Sequence, residues 1–204
     1  MTPRGQKYNE QIREKTLEKI TKAALDVFSE FGYHGATMKK ITQATGLSYG
    51  LVYHYFPSKA DIFLHLVDIA LKKSKSVMDT ALNTPGTAWD KIKRLSDITV
   101  SETLTGDFYP YFLIILQAFI QGKDIPGLME FMAERMEHYS TLGHIISEAQ
   151  ESGDVINGDP EILSTAYMAL IQGLALLMFM EKDLEKHITP DILNNLLQNK
   201  KRND

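Results

Sequence analysis

Cysteine is absent from the 204-residue chain. No disulfide can form, so the fold must rest on burial alone, and a chain of this length can bury a core without covalent staples. The absence fits a reducing cytoplasm. Also missing is any alternation of apolar and polar residues long enough for a strand, which leaves helix as the regular structure. No internal repeat and no low-complexity tract interrupts the chain. Residues 1–15 hold no apolar run, which predicts no secretory signal. The P-loop, HExxH, GxSxG and GxGxxG patterns do not occur. Glu134 with His138, and His144 with Glu148, stand four residues apart on one expected helix. Di-iron bundles instead use Glu-x-x-His at three-residue spacing on two helices, so no metal or cofactor is expected, and the chain is not expected to be an enzyme.

Positive charge is scarce overall but not evenly so. The net charge is −4, which taken alone speaks against a nucleic-acid partner. Residues 1–60, however, carry nine Lys/Arg against five Asp/Glu, and residues 61–204 carry thirteen against twenty-one. The two parts should face different partners, and only the first is suited to phosphates.

Helical spacing runs through both parts. Leu17, Ile20, Ala24, Val27, Phe28 and Phe31 fall three or four apart from Ile12 onward, until Gly32 stops the run. Thr37 caps MKKITQAT, Gly46 ends it, and Ser48 caps a further short helix that stops before Pro57. Ser58 opens a long helix to Leu82, and helices follow over 87–105, 107–121 and 125–152, with Asp159-Pro160 and Thr189-Pro190 starting two more. The reading is all-α with about nine helices: a three-helix helix-turn-helix unit over 1–57 and a larger helical unit over 58–204.

The run SYGLVYHYFPSK, residues 48–59, crowds tyrosines and a histidine onto about two turns of helix. On a helix Leu47, Val52 and Phe56 face inward while Tyr49, Gly50, Tyr53 and His54 face out. An outward row of hydroxyl, backbone and imidazole donors suits DNA, where half or more of the hydrogen bonds go to phosphate and sugar. Thr37, Ser48 and Lys59 stand at three neighbouring helix starts, which favour anions. Lys39 and Lys40 add a phosphate-facing patch, and Arg4 and Lys7 lie on an N-terminal arm. A protein-contact role for this surface in a helical scaffold stays open on these grounds.

Residues 28–63, FSEFGYHGATMKKITQATGLSYGLVYHYFPSKADIF, strongly resemble the DNA-binding domain of the TetR family of bacterial transcriptional regulators. The resemblance covers about a third of the chain; Thr45 departs from it, where alanine is commoner. It implies phosphate contacts from Thr37, Tyr53 and Lys59 and base or backbone contacts from Ser48, Tyr49, Gly50 and His54. It also implies that the remainder binds a small-molecule inducer and dimerises, so that the expected partners are an operator duplex, an inducer and a second copy. Repression is the expected mode.

Aromatic and thioether residues supply candidate pocket walls: Trp89, Phe112, Met132, Met136, Tyr139 and Tyr167, suited to an apolar or amphipathic molecule. Residues 162–180 carry no charge and are long enough for a bilayer. Ser164, Thr165, Tyr167 and Gln172 dilute them, and no positive cluster flanks them, so no membrane is expected. A soluble helix this apolar needs a cover on both sides, which places a homodimer face at Leu170, Gly173, Leu174, Leu177, Ile192 and Leu196.

Overall fold

Apolar residues at three- and four-residue steps, from Leu17 to Phe28, give α1 (Pro3–Gly35) the stripe by which it packs on α2, α4 and α6. The computed structural model describes residues 3–104, 108–135 and 140–200. Helix α1 begins earlier than the apolar pattern suggests, because polar residues can extend a helix into solvent without a core to face. It also survives Gly32: the glycine takes φ 65° and kinks the helix, and the last turn reforms to Gly35.

Short polar side chains set the next helix starts. Thr37 accepts the Lys40 N–H at 3.2 Å and opens α2 (Met38–Thr45), while Gly46 closes it in the left-handed region at φ 62°. Ser48 accepts the Leu51 N–H at 3.3 Å at the start of α3 (Tyr49–Tyr55). Ser58 does the same for Asp61, at 3.2 Å, at the start of α4 (Lys59–Leu82). Thr87 and Asp90 form a reciprocal capping box on α5 (Ala88–Ile98), which continues into a π-helical stretch, Thr99–Leu104. There follow α6 (Tyr109–Gln121), α7 (Leu128–Arg135), α8 (Ser140–Glu151), α9 (Pro160–Met180) and α10 (Pro190–Leu197).

The fold is all-α, with ten α-helices among the described residues and no β-strand there beyond one isolated bridge, Val155 to Gln198. The helix expected over 125–152 is described as α7 and α8, either side of residues outside the description. Two apolar clusters share the interior. One joins Ile20, Phe28, Ile41, Val52 and Phe63 to Ile114, Ala118 and Met132; the other joins Met78, Ile92, Phe112, Ile146, Tyr167 and Leu193. Each fully buried large side chain contributes about 1.5–3 kcal/mol. Helices α4 and α6 run through both clusters, so a shift in either is felt on each side. Helix α9 meets the length and apolarity of a membrane span, but it packs on α6, α8 and α10 and buries Tyr167, Ile171, Leu174 and Met178.

Candidate nucleic-acid interface

Helix α3 is held by its inward side. Val52 is fully buried and Phe56 nearly so, packed with α1 and α4. That anchoring turns Tyr49, Gly50 and His54 to solvent, with Tyr53 half-exposed beside them. Tyr49 donates its phenol O–H to the Tyr53 oxygen at 2.7 Å, with ring centroids 4.4 Å apart. Tyr53 is the acceptor in that pair. Its own O–H is left to donate outward. His54 stands exposed with its ring edge-on to Tyr55.

Around α3 the remaining expected contacts are placed unequally. Thr37 and Ser48 are exposed and use their hydroxyl oxygens as caps, which keeps the first turns of α2 and α3 ordered. Lys39 is exposed. Lys40 donates to the Gly35 carbonyl at 2.9 Å and lies 3.7 Å from the Phe31 ring centre. Lys59 is half-buried: its ammonium donates to the carbonyls of Tyr33 at 2.8 Å and Ala36 at 3.2 Å, and stands 4.4 Å from the Tyr33 ring centre. Two lysines therefore satisfy the open carbonyls at the end of α1, leaving Lys59 one N–H for anything else. Nothing in the spacing announces this cap, because Lys59 and Tyr33 meet only through the fold.

The model of the TetR family of bacterial regulatory proteins matches residues 20–66, which contain this whole arrangement. The chain resembles that family over this segment. It is a transcriptional regulator with a DNA-binding domain. The fatty acid metabolism regulator protein of Bacillus subtilis is 28% identical over 149 residues, 72% of this chain and 74% of its own length. The transcriptional repressor AcnR of Corynebacterium efficiens is 35% identical over 66 residues, 32% of this chain and 35% of its own length. Among solved structures, a Saccharomonospora viridis protein in complex with choline superposes with TM-score 0.68 at 22% identity, covering 89% of this chain and 93% of its own. The Thermus thermophilus regulator PfmR gives 0.64 at 23%, covering 84% and 87%. At those identities the likeness speaks for the fold alone. These relatives are regulators, not enzymes.

The remainder of the chain places the expected pocket residues in three different settings. Phe112 and Tyr167 meet at a cavity of about 20 Å³ between α4, α5, α6 and α9, also lined by Met78, Thr99 and Met168. Tyr167 is fully buried, shares a hydrogen bond of 2.9 Å with Ser96, and has its pKa pushed well up by burial. Met132 instead packs in the cluster with α1, and Trp89 lies half-buried at the edge of the other. Met136 and Tyr139 lie outside the described residues. Of the expected dimer residues, Leu177 is 50% and Ile192 37% exposed. Leu170, Gly173 and Leu196 are half-buried, and Leu174 faces the chain's own core, which leaves it little surface for a partner. Ile162, Leu176, Phe179 and Met180 are exposed apolar residues on α9 that the expectation left out.

Besides the Lys59 contacts, further polar links join the two regions. Gln117 on α6 donates its amide to the Phe28 carbonyl of α1 at 3.0 Å. His34 and Asp124 approach to 3.3 Å nearby, both exposed.

Proposed function

We propose that this chain is a cytoplasmic homodimeric TetR-family repressor that grips a palindromic operator and is released by a small apolar or amphipathic molecule. The observation that carries it is the outward-facing Tyr49–Tyr53 pair on a helix anchored from behind by Val52 and Phe56. Residues 1–57 act as the DNA-reading unit and 58–204 as the sensing and dimerising unit. Thr37, Lys39, Tyr53 and the remaining N–H of Lys59 meet phosphates, while Ser48, Tyr49, Gly50 and His54 meet bases and backbone. The second copy covers Leu177 of α9 and Ile192 of α10, the exposed apolar residues of the expected dimer face.

Release follows from geometry. Two half-sites one helical turn apart, about 34–36 Å, require a fixed separation of the two α3 helices. The small cavity at Phe112 and Tyr167 lies against α4 and α6, both of which also pack in the cluster behind α3. A ligand that enlarges it moves those helices and favours a spacing the operator does not fit. A relative named for fatty acid metabolism, and a structural neighbour that holds choline, are consistent with an amphipathic effector.

The test is a gel-shift titration against DNA upstream of the protein's own gene, at several salt concentrations, with the mass in solution measured by light scattering. Affinity that falls steeply with salt, on a two-chain species, is the expected result. A single-chain species at micromolar concentration, or salt-independent binding, overturns the proposal.

A further inference from the structure

A second and much larger concavity lies between α6 and α9, with a volume of about 610 Å³. That is the size of sites that hold drug-like ligands, whereas the 20 Å³ cavity has room for about one water. Met168 lines both spaces. Its unbranched thioether is the adaptable wall between groove and cavity.

The groove has an apolar wall and one charged end. Leu116 and Phe119 from α6 face Ala169 and Leu176 from α9, and among the described residues of the lining the one ionisable side chain is Glu161. Glu161 has a prepared seat: its carboxylate rests against Gly143 of α8, where a Cβ would collide with the carboxylate oxygen. Gly143 is buried in the first turn of α8, and its missing side chain leaves room for this carboxylate. The lining offers free acceptors beside the carboxylate. Gln172 has a buried Oε1 with no partner, and the Thr165 hydroxyl is already spent on the Glu161 carbonyl at 2.8 Å. An anionic head would meet like charge. A neutral alcohol would donate one hydrogen bond to the carboxylate but bring no opposite charge. A trimethylated ammonium would bring charge but no N–H for the acceptors.

We infer that the groove between α6 and α9 binds a primary-ammonium amphiphile, its cationic head at Glu161 and its chain running along Leu116 and Phe119 past Met168 toward the Phe112–Tyr167 cavity. This inference rests on the reading of the chain as a ligand-responsive regulator and names the chemistry of the effector.

The experiment is calorimetric titration of the full-length protein with four probes of equal chain length, octylammonium, octyltrimethylammonium, octanol and octanoate, beside operator gel shifts. Octylammonium is expected to bind about tenfold tighter than each of the others and to weaken operator binding. Glu161→Gln, isosteric and exposed, is expected to bring octylammonium to the level of octanol while octanol itself is unchanged; Gly143→Ala, which displaces the carboxylate, should act in the same direction. Octanoate binding as tightly as octylammonium, or a Glu161→Gln variant with undiminished ammonium affinity, overturns the inference. If the operator is not bound while the Glu161-dependent ammonium preference holds, the site stands and the regulatory reading falls. If the operator is bound and no such preference exists, the site alone falls.

Discussion

Replacing Lys59 by methionine separates two jobs that one ammonium can do. In the structure the group donates to the Tyr33 and Ala36 carbonyls and lies on the Tyr33 ring. Methionine keeps the apolar stem and removes the charge and donors. Hydrogen bonds from a charged donor contribute about 1.5–3 kcal/mol and an exposed cation–π contact about 0.5–1. The second carbonyl sits at the longer 3.2 Å and the side chain is only half-buried, so the expected loss is about 2 kcal/mol in total. For a chain of this size that corresponds to a melting temperature about 4–8 °C lower, read by calorimetry or circular dichroism. Operator binding measured against salt tests the other job: a dimer deprived of one phosphate-bound ammonium in each half should show a slope of log affinity on log salt shallower by about 1.8. Melting unchanged within a degree would refute the cap, and a slope change without a melting change would assign the ammonium to DNA alone.

Tyr53→Phe removes the outward O–H but leaves the ring, so operator affinity should fall about fivefold per half-site with the salt slope unchanged, since a neutral donor releases no counterion; binding equal to wild type refutes the contact. Gln117→Met deletes the amide bond to the Phe28 carbonyl while keeping side-chain length, and should cost about 1 kcal/mol in denaturant unfolding and weaken the effect of any effector on DNA binding; undiminished effector response would show that coupling runs elsewhere. Asp90 is held at a pKa of about 2, first by the Lys93 ammonium and then by Thr87, against an ordinary 3.8. A lowered carboxylate pKa gives stability present above the unfolded value and lost as pH falls through the folded one. The melting difference between wild type and Asp90→Asn should therefore be constant above about pH 5 and shrink between about pH 4 and 2; a constant difference down to pH 2 counts against the capping box.

Local chemistry was readable wherever one residue decides one backbone feature. Thr37, Ser48 and Ser58 accept first-turn N–H groups as their side chains predict, and Gly46 takes the left-handed cap. The inward and outward sides of α3 were equally plain, because Val52 and Phe56 are the residues that must leave water. What spacing does not carry is which core a stripe joins. Met132 and Phe112 look alike as apolar residues on helices, yet one packs with α1 and the other with α9. Leu174 and Leu177 differ by under a turn, and only the fold buries the first and exposes the second. Gly32 reads as a stop, but contacts of Tyr33 with Phe28 and Phe63 pull the chain back into helix past it. The glycine seat of Glu161 depends on two helices meeting, which no single stretch announces.

The cluster behind α3 extends well past the helix-turn-helix, taking in Phe63, Leu66 and Val67 and then Ile114, Ala118 and Met132. The reading unit is thus not a detachable cartridge. Severed after Pro57 it would bare the apolar underside of α1 and clump rather than recognise DNA, so grafts that exchange sensors in this protein should carry α4 and α6 across together with the head they support.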